Sequence, residues 1–241
     1  QMHDGKCRYA IKRLYDRTMS RTYRIRWVVT LFIVLCTVVV PLVQTKLDGI
    51  GGTADEVQKK QTQAALDLLA ALPVKGRAPK TGYTRTQFGD GWALVGLCDT
   101  RNLILARDLV NARVSKTCKV MSGTLHDPYT AKDVLFERGA TTSDLVQIDH
   151  VVALSNAWQT GAQLLTAQQR ESFANDPLNL LAVDGQANQD KSDGDAATWL
   201  PPNKLFRCQY VARQISVKTK YSLWVTPGES VAMRQVLQSC V

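Results

Sequence analysis

Residues 146–154 read VQIDHVVAL, an apolar, β-branched run in which a carboxylate and an imidazole stand side by side. Apolar runs of this composition usually form buried strands. An unpaired buried charge is costly, so Asp149 next to His150 in such a strand calls for a specific partner. The pair either holds a divalent metal through Asp149, with His150 as a base beside it, or makes only a structural hydrogen bond at the end of the strand. Taken alone, the pair favours the structural interpretation.

The segments that follow change this interpretation, because they complete a β-β-α arrangement. After a long excursion comes a second predicted strand, 178–183, which carries Asn179. A tight turn then leads into a short polar helix that carries Asn188 and Lys191. Such a finger can bring one carboxylate from the first strand and one amide oxygen from the helix to a single hard cation. Mg²⁺ prefers oxygen ligands of this kind together with retained waters.

Each polar residue of the finger has a predicted role. Asp149 and Asn188 are the expected metal ligands. A histidine near its unperturbed pKa is suited to deprotonate water near neutral pH, so His150 is the expected general base. Asn179 is expected to orient the loop and the imidazole through its side-chain amide. Lys191, one helical turn after Asn188, is expected to face a phosphate of the substrate.

Two arginines are further candidates for substrate binding. Arg101 lies in the segment 98–102, which leads into a helix predicted over residues 103–110. Its forked donors suit a phosphate, with pairing to Asp99 as the structural alternative. Arg170 lies near the end of a helix predicted over residues 158–174 and is assigned the same substrate-binding role.

Other predicted elements surround the finger. Helical spacing predicts a first helix that begins after Thr53 and ends before Pro73. Strands are predicted over residues 113–120, 134–137 and 221–225, a turn over residues 123–129, and C-terminal helices over residues 207–215 and 227–238. His126 lies in the predicted turn and is interpreted as solvated.

The first 45 residues differ from the rest of the chain in charge and hydropathy. They hold eight Lys and Arg against two Asp, most of the net charge of +9. Residues 27–45 carry no charge and are long enough to span a bilayer. Because positive residues precede this segment, we expect a basic cytoplasmic segment over 1–26 and a signal anchor or cleaved signal peptide over 27–45. The rest of the chain is then extracytoplasmic, either membrane-anchored or secreted.

Cysteine usage agrees with export. Four cysteines follow the predicted anchor, at positions 98, 118, 208 and 240. An even number in an exported domain favours two disulfides, with three possible pairings. We favour Cys98 with Cys118 and Cys208 with Cys240, since each pairing closes a local loop. A four-thiolate zinc site is disfavoured, because this part of the sequence has no C-x-x-C pair.

The order of the finger residues resembles a known signature. The segments are Asp149-His150-Val151-Val152, then Asn179-Leu180-Leu181, then Asn188-x-x-Lys191-Ser192-Asp193. They resemble the HNH endonuclease signature of the His-Me finger superfamily. The surrounding sequence resembles the exported HNH-nuclease-like family, which is related to the C-terminal nuclease part of GmrSD restriction enzymes. The segments that carry this resemblance include LPVKGRAPKTGYTRTQFGDGW, CDTRN, LHDPYT, FANDPLNLLAV and DAATWLPP. The resemblance covers roughly residues 64–241.

The resemblance implies an α+β fold in which a ββα-metal (His-Me) finger is embedded in a small mixed domain with flanking helices. A linker with an amphipathic helix would occupy residues 46–82 and the HNH nuclease domain residues 83–241. The implied activity is metal-dependent hydrolysis of phosphodiester bonds. His150 would be the base, Asn179 would orient it, and Asp149 with Asn188 would hold one Mg²⁺, Mn²⁺ or other divalent cation. The Cys pairs of zinc-stapled relatives are missing, so disulfides are expected to brace the domain.

The implied partner is nucleic acid, with DNA favoured over RNA, and no protein partner is implied. The exported part carries a net charge of only +3, so we expect weak sequence readout and salt-sensitive binding through phosphates. A catalytically silent binding or cell-envelope module on the same scaffold is the alternative. The sequence lacks the G-x-S-x-G and H-E-x-x-H motifs of serine and zinc hydrolases and the glycine loop of nucleotide-driven enzymes.

Overall fold

A computed structural model describes residues 54–140 and 142–240 of the chain. Its helices, in chain order, are α1 (Ala54–Ala71), α2 (Thr100–Asp108), α3 (Leu154–Gln159), α4 (Ala167–Ala174), α5 (Gly185–Lys191), α6 (Arg207–Lys220) and α7 (Pro227–Gln238). Its strands are β1 (Leu94–Val95), β2 (Cys98–Asp99), β3 (Leu109–Val114), β4 (Val120–His126), β5 (Asp133–Glu137), β6 (Val146–His150) and β7 (Leu180–Asp184).

The predicted finger is present as β6, β7 and α5. β6 and β7 pair antiparallel, with Val146 opposite Asp184 and His150 opposite Leu180. Asp184 caps α5, since its side chain accepts a hydrogen bond from the N–H of Ala187 at 2.9 Å. Only glycine fits at position 185, because a Cβ there would lie 2.1 Å from the carbonyl oxygen of Asp144. The predicted α+β class is confirmed.

The finger strands are covered on both faces. β7 is apolar over residues 180–183, as expected of a strand buried on both faces, whereas β6 alternates apolar Val146 and Ile148 with polar Gln147 and Asp149. On one side lies the three-stranded antiparallel sheet β3-β4-β5 together with α2. The cluster on this side contains Ile104, Leu105, Val120, Leu125, Phe136, Val146, Ile148, Leu180 and Ala182. On the other side α1, α6 and α7 pack, in a cluster that includes Leu69, Tyr129, Val151, Leu181, Val183, Tyr210, Ile215 and Met233.

The excursion between β6 and β7 has its own apolar cluster, which includes Phe88, Val152, Leu154, Trp158 and Phe173. The single helix predicted over residues 158–174 is wrong. Two short helices, α3 and α4, flank a loop instead. Gly161 adopts φ +127° in this loop, a conformation that no helix continues through. Thr166 then starts α4 with a capping box to Gln169.

Three other local predictions are corrected. The turn predicted over residues 123–129 is mostly strand, because β4 continues to His126 and pairs with β5 along its length. The strand predicted over residues 113–120 is a hairpin turn between β3 and β4, with Cys118 at φ +59°. The segment 221–225 forms only an isolated parallel bridge, between Val225 and Val74. The helix before Pro73 and the strand at residues 134–137 are confirmed by α1 and β5.

Disulfides join Cys98 to Cys118 and Cys208 to Cys240, as predicted. The first ties the β1–β2 hairpin to the turn between β3 and β4. The second ties the start of α6 to the residues after α7. Both C-terminal helices are confirmed, and α6 extends to Lys220, beyond its predicted end.

A buried ion pair also joins α6 to α7. The Nζ of Lys218 lies 2.9 Å from a carboxylate oxygen of Glu229, and both side chains are fully inaccessible to solvent. Lys218 donates further hydrogen bonds to the Trp224 carbonyl and the Asn156 side chain. Burial lowers the pKa of Lys218 and raises that of Glu229, each opposed by the charge of the partner. The pair is therefore held together by complementary charge in a site closed to solvent.

The predicted anchor, 27–45, and the basic segment 1–26 lie outside the described residues. Within the part of the chain that the structure describes, no helix is long and apolar enough to cross a bilayer. The boundary between the 46–82 linker and the 83–241 domain stays a prediction.

Candidate active site

Asp149 lies near the end of β6 and is almost completely buried. The hydroxyl of Tyr129 donates to its Oδ2 at 2.5 Å, and the ammonium of Lys191 donates to its Oδ1 at 2.9 Å. Burial raises the pKa of Asp149, whereas Lys191 and the hydrogen bond from Tyr129 lower it. The two donors supply the partners that a buried carboxylate needs to stay charged.

Lys191 is buried beneath this carboxylate and does not face solvent. Its side chain has no exposed area, and its Nζ also donates to the carbonyl of His150 at 2.9 Å. Through these two hydrogen bonds Lys191 holds the carboxylate of Asp149 and the carbonyl of His150 against α5. A contact with a substrate phosphate would require the ammonium to leave both partners.

His150 ends β6 with its imidazole held in one orientation. Its Nε2 lies 2.9 Å from the carbonyl oxygen of Ala174. Because a carbonyl can only accept, Nε2 carries the proton and Nδ1 keeps its lone pair. The ring stacks on Trp92 with centroids 5.7 Å apart and planes 7° from parallel. Burial lowers the pKa of His150 to about 3, so the ring is neutral at neutral pH.

Asn179 holds the loop that follows His150. Its Oδ1 accepts the N–H of Val152 at 2.9 Å, and its Nδ2 donates to the Val152 carbonyl at 3.3 Å. Its own carbonyl accepts the N–H of Val151. The side chain is completely buried and directly precedes β7. This placement supports the predicted orienting role, exerted through the backbone after His150.

Asp176 fixes the turn that presents Asn179. Its carbonyl accepts the N–H of Asn179, and its carboxylate accepts hydrogen bonds from the N–H of Leu178, the ammonium of Lys220 and the hydroxyl of Tyr221. Burial acts to raise the pKa of Asp176, but these hydrogen bonds hold it below its usual value. The turn is therefore stabilised by an ionised carboxylate.

Because the pKa of Asp176 is lower in the folded state than in the unfolded state, the protein loses stability as the pH falls. Above the unfolded-state value, about 3.9, the contribution of Asp176 is fully present, and it is lost as the pH falls through the folded-state value. We expect the free energy of unfolding to decrease from pH 6 to pH 3, and Asp176→Asn to weaken this decrease. Urea titrations across this range measure both. Asp190→Asn, at an exposed position of α5, is the control, and equal pH slopes in wild type and Asp176→Asn would contradict the assignment.

Asn188 lies on α5 beside β6. Its Nδ2 donates to Oε1 of Gln147 at 2.8 Å, which orients the amide and leaves Oδ1 as an acceptor. Asn188 and Asp149 both line one polar cavity of about 520 Å³. The structure therefore brings the two predicted ligands to a common space.

Two cavities meet at His150. The polar cavity is lined by Lys80, Tyr83, Arg85, Ile148, Asp149, His150, Ala153, Leu154, Ser155, Asn188, Ser192 and Asp193. A second cavity, of about 430 Å³, is lined by Arg85, Thr86, Phe88, Gly89, Asp90, Gly91, Trp92, His150, Leu154 and Ala174. Arg85, His150 and Leu154 border both. The imidazole thus lies between a polar space and a largely apolar one.

The donor chemistry at the polar cavity fits a hard cation. A carboxylate offers about four lone-pair sites, of which Tyr129 and Lys191 occupy two on Asp149. The Oδ1 of Asn188 supplies a neutral oxygen. Within residues 54–140 and 142–240, no group of three or more His, Cys, Asp or Glu side chains is placed to hold a metal. One carboxylate and one amide match an ion that keeps most of its waters, such as Mg²⁺.

The two predicted substrate arginines lie in structural contacts. Arg101 points its guanidinium at the carbonyls of Ser143 and Val146, at 3.4 and 3.5 Å, instead of pairing with Asp99. Arg170 donates to the carbonyl of Leu165 and, through Nε at 2.8 Å, to that of Gln87. Neither borders the cavities around His150. Their role in substrate binding stays a prediction.

Sequence reasoning missed Arg85, Trp92 and Tyr129. Arg85 is exposed between the two cavities and makes no hydrogen bond or ion pair with the described residues. Arg85 and Trp92 come from the segment YTRTQFGDGW and Tyr129 from LHDPYT, both noted only for their resemblance. No local periodicity indicates that a residue so far upstream reaches β6. The resemblance of these two segments to the nuclease-like family was the one signal that could have indicated Arg85, Trp92 and Tyr129.

Comparisons with known proteins indicate the family of the chain. The family model "GmrSD restriction endonucleases, C-terminal domain" matches residues 99–236. An "Uncharacterized secreted protein" of Arthroderma benhamiae is 41% identical over 181 residues, covering 73% of this chain and 84% of that protein. No solved structure matches the chain.

Proposed function

The chain belongs to the family of C-terminal domains of GmrSD restriction endonucleases, and on this premise we propose that it is a metal-dependent HNH-type endonuclease that hydrolyses phosphodiester bonds of nucleic acid. The observation that carries the proposal is the placement of His150. Its Nε2 donates to the Ala174 carbonyl, which leaves Nδ1 unprotonated, and the residue lines the same cavity as Asp149 and Asn188. A neutral imidazole fixed in one tautomer is the form a general base requires.

The residues around the two cavities have separate roles in the proposed reaction. His150 accepts the proton of the attacking water at Nδ1, and Trp92 and the Ala174 carbonyl keep the ring from rotating. Asn179 holds the loop after His150 in place. Asp149 and Asn188 would hold one divalent cation, which when bound stabilises negative charge on the phosphate and the leaving oxygen. Arg85, at the border of the two cavities, is placed to meet a phosphate oxygen.

Metal binding gives a test that does not depend on activity. We expect Mn²⁺ or Mg²⁺ to raise the melting temperature of the full chain, because an ion that binds only the folded state stabilises it in proportion to the logarithm of its concentration. Asn188→Ala removes one oxygen ligand and is expected to weaken the apparent affinity by about tenfold or more, roughly 1.4 kcal/mol. Thermal melts over a metal titration measure this shift.

Gln186→Ala is the matched control for the metal titration. Gln186 is an exposed amide on the same helix, and among the described residues its side chain bonds to Asp190 alone. This variant is expected to keep the wild-type response to metal. A melting temperature that does not change with metal in the wild type would count against the metal-dependent mechanism.

The site of action proposed for this activity is extracytoplasmic. Two disulfides lie in the described part of the chain, and such bonds persist in oxidising compartments. The relative from Arthroderma benhamiae is described as secreted. Both findings support export of the domain. DNA is favoured as substrate over RNA, and contacts to phosphates are expected to dominate the binding.

One observation favours the alternative of a catalytically silent binding module. Both oxygens of Asp149 already have buried partners, in Tyr129 and Lys191. In a silent module this network would serve stability alone. The two functions differ in the metal titration and in plasmid cleavage, because the silent module predicts neither a metal-dependent melting temperature nor a product.

A further inference from the structure

We propose that the apolar cavity beside His150 receives a nucleobase next to the scissile phosphate, so that the enzyme acts on nucleotides whose base is out of the stack. This inference rests on the proposed nuclease function and adds a base-binding subsite to it. The subsite is the 430 Å³ cavity bounded by Trp92, Phe88, Leu154 and the loop Gly89-Asp90-Gly91.

The position of the cavity relates it to the reacting phosphate. Arg85 and His150 line both the apolar cavity and the polar cavity of Asp149 and Asn188. A phosphate bound at the polar cavity therefore has one flanking nucleotide directed over His150 into the apolar one. Arg85 has no partner among the described residues, so its guanidinium is available to the phosphate at this border.

The lining of the cavity suits a base better than a second phosphate. Trp92 is half-buried, and aromatic side chains are the surfaces on which unpaired bases stack. Asp90 is the acidic residue of the lining and repels a phosphate. Its carboxylate can accept a hydrogen bond from the exocyclic amino group that adenine, cytosine and guanine carry.

Structural contacts hold the cavity wall rigid. Arg170 donates to the carbonyl of Gln87, inside the short 3₁₀ turn Arg85–Phe88, at 2.8 Å. Phe88 packs its ring on Phe173 and Trp158. The turn that carries Arg85 and Thr86 is thereby fixed to α4. In this arrangement Arg170 positions the turn through Gln87.

A base enters this cavity only when it is unpaired. Extrusion from a duplex costs a few kcal/mol, whereas a single strand offers its bases at little cost. We therefore expect single strands and frayed ends to be cut faster than the interior of a duplex. Stacking is worth about 1–3 kcal/mol per base, which corresponds to roughly 5- to 150-fold in rate.

The test uses the full chain and a single-stranded oligo-deoxyadenosine that carries one tetrahydrofuran abasic unit. The measured quantity is the ratio of cleavage rates at base-bearing linkages to those flanking the abasic unit. We expect a ratio of about 5 to 150 for the wild type. Thr86→Phe, which fills the mouth of the cavity, is expected to bring the ratio close to one. Thr117→Phe, the same substitution at an exposed turn, is the control and should keep the wild-type ratio.

The outcomes separate the subsite from the nuclease activity. Cleavage at both kinds of linkage with a wild-type ratio near one would overturn the base subsite and leave the nuclease function intact. Absence of cleavage at every linkage with each metal would overturn the nuclease function itself. Binding of an oligonucleotide tests the subsite even if the enzyme cleaves slowly. In EDTA, an oligonucleotide containing 2-aminopurine should be quenched by the wild type more strongly than by Thr86→Phe, and equal quenching would overturn the subsite.

Discussion

Replacing His150 by alanine is expected to lower the rate of plasmid cleavage by about 10²–10⁴-fold, the usual contribution of a general base. The physical reason is that His150 has an unprotonated Nδ1 and lines the cavity of Asp149 and Asn188. The measurement is nicking of supercoiled plasmid by the full chain with Mg²⁺ or Mn²⁺. His150→Asn should be similarly inactive while keeping more of the packing against Trp92.

A matched histidine is available as control. His126 lies at the end of β4, about two-thirds exposed, and pairs with Asp133 away from both cavities. His126→Ala should cleave plasmid at the wild-type rate. If wild type and His150→Ala were equally inactive over a range of metals, or equally active with both variants folded, His150 would not be the base of a nuclease.

The largest expected effect on stability comes from breaking the buried pair between α6 and α7. Lys218→Met leaves the carboxylate of Glu229 buried without its cation, a change that typically costs about 3–5 kcal/mol. For a chain of this length this corresponds to a fall in melting temperature of roughly 6–20 °C. Calorimetry or thermal circular dichroism measures the shift.

Two further variants test whether charge or packing is responsible. Adding Glu229→Gln to Lys218→Met removes the orphaned charge and keeps an amide oxygen for the capping box with Thr226, so much of the lost stability should return. Lys80→Met breaks the exposed pair with Asp193 and should change the free energy of unfolding by about 1 kcal/mol or less. A double variant no more stable than Lys218→Met would attribute the loss to packing.

The finger could be predicted from the sequence because its signals are local. Residues 146–149 alternate apolar and polar, residues 180–183 are apolar, the turn at Gly185 follows at once, and α5 is short and polar. Boundaries were less predictable where tertiary pairing overrides local preference. β4 runs through Gly123 because β5 pairs with it, although glycine and polar residues at this place indicate a turn.

The surroundings of the site were not predictable in the same way. Asp149 gains its partners from Tyr129 and Lys191, which lie 20 residues before it and 42 residues after it in the chain. Burial of Lys191 places its ammonium against Asp149 and not toward solvent, and its contact with a substrate phosphate stays a prediction. Trp92 reaches His150 from the bend before β1, a segment with no pattern of its own. Such contacts depend on the packed fold and leave no trace in residue spacing.

The length of the excursion between β6 and β7 affects the stage of folding at which the candidate site forms. His150 and its partner Leu180 are about 30 residues apart, and closing such a loop costs roughly 2 kcal/mol more entropy than closing a tight hairpin. The Ala174 carbonyl and Asn179, which fix the imidazole and its loop, belong to the excursion itself. In a chain that is still unfolded, His150 therefore lacks the contacts that fix its ring and its loop, so the candidate site forms only once the whole excursion has folded.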